Sequence, residues 1–168
     1  MRLPDHRIRQ LALEGMISPF REGQLNPASY DVLLGSTIIL EERSGFREID
    51  ISDATEDSPY WLQPGEFCLA ETQEVFSLPD NVAAQFVLKS SRAREGYENL
   101  MAGYCDPGWH GSKLTLELKN ALFWNDLPLW PGLKIGQMIF DAMLEPCERS
   151  YRETGRYNLD ARVAQSKG

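Results

Sequence analysis

Short runs of apolar residues, many of them alternating with polar ones, dominate this chain after its first fifteen residues. Alternation with a period of two places successive side chains on opposite faces of a strand. Gly, Pro, Asn and Asp separate the runs, as is typical where a chain turns between strands. The runs are SYDVLLG, STIILEE, EFCLAETQEVF, VAAQFVLK, KLTLELKN and LKIGQMIF. The pattern therefore predicts a mostly-β fold.

One short helix is predicted before the strands begin. Apolar residues fall at helical spacing at Ile8, Leu11 and Ala12. Asp5 is a candidate N-cap, and Gly15 offers a stop. We therefore expect a helix over residues 5–15.

Two Pro-Gly dipeptides, Pro64-Gly65 and Pro131-Gly132, each precede a β-rich run. Proline fixes φ and glycine tolerates positive φ, so each dipeptide suits a tight turn and predicts the start of a hairpin. Residues 41–59 are acidic and polar, which predicts a long surface excursion with a short strand around Ile49 and Ile51.

Length and composition restrict the possible functions. A chain of 168 residues with 42% hydrophobic content predicts one domain over residues 1–168. A net charge of -8 argues against a general nucleic-acid binder, because such proteins gain affinity from basic surfaces. The three cysteines form no CxxC pair, which fits a reducing interior better than a disulfide framework. The first residues lack the apolar core of a signal peptide. No run approaches the roughly 20 apolar residues of a membrane span. We expect a soluble cytoplasmic protein without nucleic-acid or membrane partners.

The segment LKSSRAREG, residues 88–96, combines hydroxyls and cations where a strand-like run ends. Hydroxyls and free backbone N–H groups at a helix start bind phosphate, and Lys or Arg neutralises its charge. Taken alone, the segment fits a capped, solvated turn better than a phosphate site. Both interpretations stay open at this point.

The segment DPGWHGSKLTLELKN, residues 106–120, joins a tight turn to a clear alternation. Its two faces carry Leu114, Leu116 and Leu118 on one side, and Lys113, Thr115, Glu117 and Lys119 on the other. The polar face is either a solvated surface with paired charges or the wall of a site. Trp109 beside Asp106 favours a site, since an aromatic surface stacks under a sugar or base while an acid holds a hydroxyl.

Five motifs in order over nearly the whole chain resemble the dCTP deaminase and trimeric dUTPase superfamily: QLNPASYDVLLG, KSSRAREG, DPGW, TLEL and PGLKIGQMIF. The opening helix followed by PASYD resembles the deaminase branch in particular. The resemblance implies a distorted jelly-roll (dUTPase-like β-clip) with a short N-terminal helix, and a homotrimer with sites between subunits.

The resemblance also implies residue roles. Glu117 matches the glutamate that activates water in the deaminases, and Asp106 matches the acid that holds the deoxyribose 3'-hydroxyl. The implied triphosphate-binding residues are Lys89, Ser90, Ser91, Arg94 and Gln137. The further implied substrate contacts are Ala102, Trp109, Thr115, Leu116, Tyr151, Arg156 and Tyr157. Residues 148–168, which look frayed by themselves, are then a possible C-terminal lid over the active site.

Deamination at C4 of cytosine needs a base to take a proton from water and an acid to supply one, and a single carboxyl group does both in sequence. Zinc deaminases use H-x-E and P-C-x-x-C ligand sets, which this sequence lacks. We therefore predict catalysis without zinc. Mg²⁺ is expected with the triphosphate, held mainly by substrate oxygens and water rather than by protein ligands.

Three departures from the family pattern affect these predictions. Lys89 stands where an arginine is usual, which keeps the charge but loses the two-pronged geometry. The spacing from Gly111 to Glu117 is one residue long, so this strand is a candidate for a β-bulge. The glutamine expected shortly after the tail tyrosine is replaced by Asn158-Leu159-Asp160, which leaves the identity of the base open.

The leading hypothesis is deamination of dCTP, or of a modified dCTP, to dUTP and ammonia by Glu117 in pyrimidine deoxynucleotide metabolism. The alternatives are a dUTPase and a bifunctional enzyme that releases dUMP and pyrophosphate. A non-catalytic nucleotide-binding regulator on the same scaffold is a further alternative, since fold does not determine function.

Overall fold

The computed structural model describes residues 1–168, which form antiparallel strands and a few short helices. The strands are Ile17–Ser18 (β1), Leu25–Asn26 (β2), Ser29–Glu42 (β3), Gly45–Asp50 (β4), Tyr60–Leu62 (β5), Phe67–Ser77 (β6), Val82–Leu88 (β7), Tyr97–Glu98 (β8), Tyr104–Cys105 (β9), His110–Asn120 (β10), Leu127–Leu129 (β11) and Lys134–Ala142 (β12). The α-helices are Asp5–Leu11 (α1), Ser90–Glu95 (α2) and Tyr151–Thr154 (α3). The mostly-β prediction is confirmed.

Ten strands share one curled antiparallel sheet, whose main path runs β8-β10-β6-β3-β12-β7-β9. Strands β1, β2 and β4 pair with this path at β6 and β3, while β5 and β11 form a separate two-stranded sheet. The sheet closes over a core of buried aliphatic and aromatic side chains from its alternate positions, among them Leu34, Ile38, Phe76, Leu116 and Phe140. Each such side chain contributes roughly 1.5–3 kcal/mol when it leaves water.

The two predicted runs SYDVLLG and STIILEE form one long strand, β3. Its second half pairs with β4 in a hairpin, with Glu42 opposite Gly45. Much of the expected surface excursion is therefore part of this β-hairpin. Ile49 lies in its returning strand, and Ile51 is buried just beyond it.

The N-terminal helix begins at the predicted residue, but its capping residue and the end of its α-helical part differ from the prediction. Pro4 is its N-cap, and Asp5 is its first residue, so the Asp5 carboxylate does not cap the helix but accepts a hydrogen bond from the His6 amide. The α-helix ends at Leu11, and a π-helical turn continues over Ala12–Met16. Gly15 has a φ of 103° there, so the chain does stop its helix at the predicted glycine.

Neither Pro-Gly turn starts a hairpin. Residues 64–65 connect β5 to β6, and residues 131–132 connect β11 to β12, although β5 pairs only with β11. Each turn therefore moves the chain from the two-stranded sheet into the large sheet. The local φ requirement was predicted correctly, since Gly65 and Gly132 have φ of 77° and 92°, but strand pairing depends on distant partners.

No helix in the structure combines the length and apolar composition that a membrane span requires.

Candidate active site

A cavity of about 430 Å³ lies between β10, the loop that precedes it and the C-terminal tail. Its volume falls within the range of sites for small molecules. Six of the predicted site residues line it: Asp106, Trp109, Thr115, Glu117, Tyr151 and Tyr157. Thus β10 with its preceding loop and the C-terminal tail, which are far apart in the sequence, meet in one concave surface.

The alternation of β10 decides which side chains reach this cavity. Leu114, Leu116 and Leu118 are buried in the core, while Thr115 and Glu117 face the cavity between them. Because the side chain of Leu116 is fully buried, only its main chain is available to a substrate.

The predicted irregularity in this strand is confirmed. The register between β10 and β6 shifts between His110 and Ser112, and again between Lys113 and Thr115. From Thr115 onward the pairing is regular, and Glu117 stands opposite Leu69. The extra residue is therefore absorbed before Glu117, which keeps its place on the cavity face.

Glu117 is the chemically distinctive group of the cavity. Its Oε2 atom is buried and has no hydrogen-bond partner among the protein's own groups. Burial raises the pKa of Glu117 above the ordinary glutamate value, and its own backbone amide only partly offsets that effect. A carboxyl group without a cation partner is thus held where its charged form is disfavoured, as proton-transferring carboxyl groups are.

Asp106 and Trp109 occupy opposite kinds of environment at the rim. The side chain of Asp106 is exposed, whereas Trp109 is 5% exposed and stacks on Phe76 with ring centroids 6.0 Å apart. The indole Nε1 donates to the main-chain carbonyl of Tyr157 at 2.9 Å. Trp109 therefore holds the tail through this hydrogen bond, and it also lines the cavity.

The C-terminal tail is packed along β10 rather than frayed. The Leu159 amide donates to the His110 carbonyl at 3.1 Å, and the Lys113 amide donates to the Asp160 carbonyl at 2.8 Å. Further along, the Ala164 amide donates to Thr115 Oγ1 at 3.3 Å. These contacts place tail residues Asp160, Ala164, Gln165 and Ser166 in the cavity wall.

Several predicted site residues lie outside this cavity: Lys89, Ser90, Ser91, Ala102, Leu116, Arg94, Gln137 and Arg156. Ser90 and Ser91 begin helix α2, directly after β7, and they are exposed together with Arg94. The Arg156 side chain is exposed, and the Ala102 carbonyl accepts from Asn99.

Of the two cations in the predicted phosphate group, Lys89 already has a partner within the chain, whereas Arg94 has none. Lys89 Nζ lies 2.7 Å from Asp31 Oδ1, and the Asp31 side chain is only 5% exposed. Gln137, which pairs with Asp31 across β12 and β3, accepts a hydrogen bond from the Ser29 hydroxyl at 2.7 Å. The structure therefore brings Lys89 and Gln137 together but does not bring them to Glu117.

Ten further residues line the cavity and were not predicted as site residues, among them Tyr104, Lys113, Gln165 and Ser166. Lys113 stood on the polar face of the predicted strand, so the alternation contained a signal that it shares the side of Glu117. Gln165 and Ser166 had none, because the tail is aperiodic and reaches β10 only through tertiary contacts.

The structure brings together no group of three or more His, Cys, Asp and Glu side chains with metal-ligand geometry.

A model of the family described as dCTP deaminase-like matches residues 2–143. The chain belongs to that family. Proteins named "dCTP deaminase, dUMP-forming" are similar to it over most of both lengths. The one from Leifsonia xyli is 38% identical and spans 90% of this chain and 81% of its own. The one from Streptomyces coelicolor is 40% identical and spans 80% and 75%.

Solved structures show the same fold. A 2'-deoxycytidine 5'-triphosphate deaminase from Agrobacterium tumefaciens superposes with a TM-score of 0.68 at 21% identity over 84% of this chain. This chain spans only 47% of that structure's length. The dUTPase of EIAV matches with a TM-score of 0.52 at 16% identity, over 80% of this chain and 89% of its own. The dUTPase-like jelly-roll prediction is thereby confirmed, and the chain is a dCTP deaminase-like hydrolase.

The expectation that dUTP is the released product is wrong. The Leifsonia xyli and Streptomyces coelicolor relatives, together with one from Mycobacterium marinum at 36% identity, are all named as dUMP-forming. The motifs that suggested a deaminase carry the predicted catalytic glutamate and the predicted triphosphate-binding residues. They do not distinguish an enzyme that releases the triphosphate from one that also cleaves it.

Proposed function

We propose that this protein converts dCTP to dUMP, ammonia and pyrophosphate by two hydrolytic steps in one site. One water replaces the exocyclic amino group of cytosine, and a second water breaks the bond between the α- and β-phosphates. The observation that supports it most is the buried Glu117 Oε2 atom, which has no hydrogen-bond partner and lies at a cavity of about 430 Å³. The dUMP-forming names of the relatives support the second step.

In this proposal Glu117 acts first as a base and then as an acid. The ionised carboxylate takes a proton from the water that attacks C4, and the protonated carboxyl returns it to the ring or to the departing amine. A pKa raised by burial brings the two forms closer in free energy, which suits a group that must alternate between them.

The exposed Asp106 carboxylate would hold the 3'-hydroxyl of the sugar and position the second water. Thr115 and the main chain of Leu116 lie beside Glu117 and would contact the base. Tyr151 and Tyr157 enter the same wall from the tail. We propose that residues 148–168 act as a lid that opens for substrate and product, because the tail is held to β10 mainly by hydrogen bonds at the cavity edge.

The triphosphate would be held by Lys89, Ser90, Ser91, Arg94 and Gln137, and those residues would come from a second copy of the chain. None of them lines the cavity of its own chain, so a site that uses both groups is incomplete in one subunit. A homotrimer with sites between subunits satisfies this requirement. Light scattering tests it: a fully active species of 19.1 kDa would contradict the trimer.

Mg²⁺ would arrive with the triphosphate and be held by phosphate oxygens and water. A structural Mg(II) ion is named for a phage phi11 dUTPase of S. aureus, whose structure matches with a TM-score of 0.54 at 15% identity over 79% of this chain and 88% of its own. The scattered cysteines are consistent with the cytoplasm.

The decisive experiment is a product profile. The protein is incubated with Mg²⁺ and either dCTP or dUTP, nucleotides are separated by chromatography, and ammonia is assayed. We expect dUMP, pyrophosphate and ammonia from dCTP in equal amounts. Cleavage of dUTP without ammonia release from dCTP would identify a plain dUTPase instead, and tight binding without turnover would identify a nucleotide-binding regulator.

A further inference from the structure

A buried carboxylate outside the cavity, Glu71 on β6, connects the cavity wall to the C-terminal tail. Its side chain is 3% exposed, and both of its oxygens are used. Oε1 lies 2.7 Å from the ammonium of Lys113, which lines the cavity. Oε2 accepts a hydrogen bond from the Val163 amide of the tail at 2.8 Å.

The side chain of Glu71 fits in this position because the neighbouring residue on β3 is a glycine. A methyl group at Gly35 of the neighbouring strand β3 would lie 2.6 Å from Glu71 Cγ, so the carboxylate side chain occupies space that only glycine leaves open. Val163 itself is 8% exposed, which seals the bond from solvent. A charged acceptor in such a site binds an amide more strongly than a solvated one.

We propose that Glu71 is a positioning residue that docks the tail against β10, and that it thereby sets the part of the cavity wall formed by Ala164, Gln165 and Ser166. These three residues directly follow the docked Val163 amide. Glu71 acts through Lys113 and the tail, and it has no contact with substrate. The inference rests on the proposed function only for its kinetic readout, because docking is measurable without substrate.

The test uses Glu71→Gln. An amide has one acceptor oxygen and an NH₂ donor, so it cannot accept from both the Lys113 ammonium and the Val163 amide, and one donor is left facing another. We expect hydrogen exchange at the Val163 and Ala164 amides to accelerate at least about tenfold, and KM for dCTP to rise about tenfold with a much smaller change in kcat. A purely structural role would lower thermal stability and the active fraction but leave KM unchanged.

The matched control is Glu48→Gln. Glu48 also binds the tail, through Arg162 at 2.8 Å, but both side chains are more than half exposed. Such a pair contributes little, so exchange and KM should stay at wild-type values.

A second variant, Val163→Pro, removes the donor from the tail side while keeping an apolar side chain, and it keeps the test valid if Glu71→Gln does not fold. We expect the same rise in KM and the same loss of protection at Ala164. Wild-type KM and exchange in Glu71→Gln, or in Val163→Pro where only that variant folds, would overturn the proposal. Absence of turnover in wild-type protein would refute the proposed function, while the exchange data would still decide the docking.

Discussion

The regions of the sheet around Glu117 and around Lys89 differ in whether their charged groups have partners within the chain. Glu117 Oε2 is buried without any partner, and its pKa is raised. Lys89 is bound to the buried Asp31 at 2.7 Å, and Gln137 beside it is bound to Ser29. One region therefore keeps a carboxyl oxygen unsatisfied, whereas Lys89 and Gln137 in the other region both have partners within the chain.

The difference matches the two tasks in the proposed reaction. A proton-transferring carboxyl must change its charge during each cycle, and a fixed cation partner would hold it ionised. Groups that bind a triphosphate keep their charge throughout, and Lys89 and Gln137 have internal partners that hold them in place until the phosphates arrive. A phosphate that binds the Lys89 ammonium must compete with Asp31 for it.

The largest effect is expected from Glu117→Gln, which keeps the shape of the side chain but removes its proton chemistry. Ammonia release from dCTP should fall about 10³-fold, while calorimetry should show the triphosphate still bound. The matched control is Glu41→Gln on the exposed end of β3, which should release ammonia at the wild-type rate. Equal ammonia release by Glu117→Gln and wild type would remove Glu117 from the mechanism.

A smaller effect, on the free energy of unfolding, is expected when the paired cation Lys89 is replaced and compared with the unpaired cation Arg94. Lys89→Gln leaves the buried Asp31 charge short of its main partner, and losing one member of a buried pair costs roughly 3–5 kcal/mol. Lys89 is 28% exposed, and Asn26 and Lys134 still reach Asp31, so we expect about 2 kcal/mol in urea unfolding.

Arg94→Gln is the comparison variant for that measurement. Arg94 is exposed and has no partner in the chain, so its replacement should change the unfolding free energy by less than about 0.5 kcal/mol. Both variants should raise KM for the triphosphate. An equal loss of stability in the two variants would show that Lys89 is not held by Asp31 in solution.

The smallest effect concerns pH and stability at Glu117. A carboxyl whose pKa is raised on folding binds protons more tightly in the folded state, so stability falls as pH rises from the unfolded pKa through the folded one. Glu117→Gln should therefore have a higher Tm than wild type near pH 7, and the difference should shrink as pH falls toward the ordinary carboxyl value of 4.5. A Tm difference that does not change with pH would mean that burial does not raise the pKa of Glu117 in the folded protein.

Much of the fold could be predicted because strand signals are local. The alternation at residues 113–119 placed Glu117 on the face opposite the core leucines, and the extra residue after Gly111 indicated the irregular register that the structure shows. Partners could not be predicted in the same way. The Pro64-Gly65 turn has the predicted positive φ, yet it joins strands of different sheets.

The candidate site divides along the same line. Asp106, Thr115 and Glu117 are close in sequence, and strand β10 together with the loop that precedes it brings them into the cavity. The approach of Gln165 and the pairing of Lys89 with Asp31 depend on contacts across 49 or more residues, for which the sequence carries no periodic signal.

The sequence by itself determined the β pattern, the face that carries Glu117 and the family to which the chain is similar, because each depends on the order of neighbouring residues. Only the tertiary structure decided that Glu117 Oε2 is buried without a partner, that Lys89 is already paired, and that Glu71 binds the tail. Burial and pairing are properties of surfaces that meet in space, and strands far apart in the chain supply both sides of each contact.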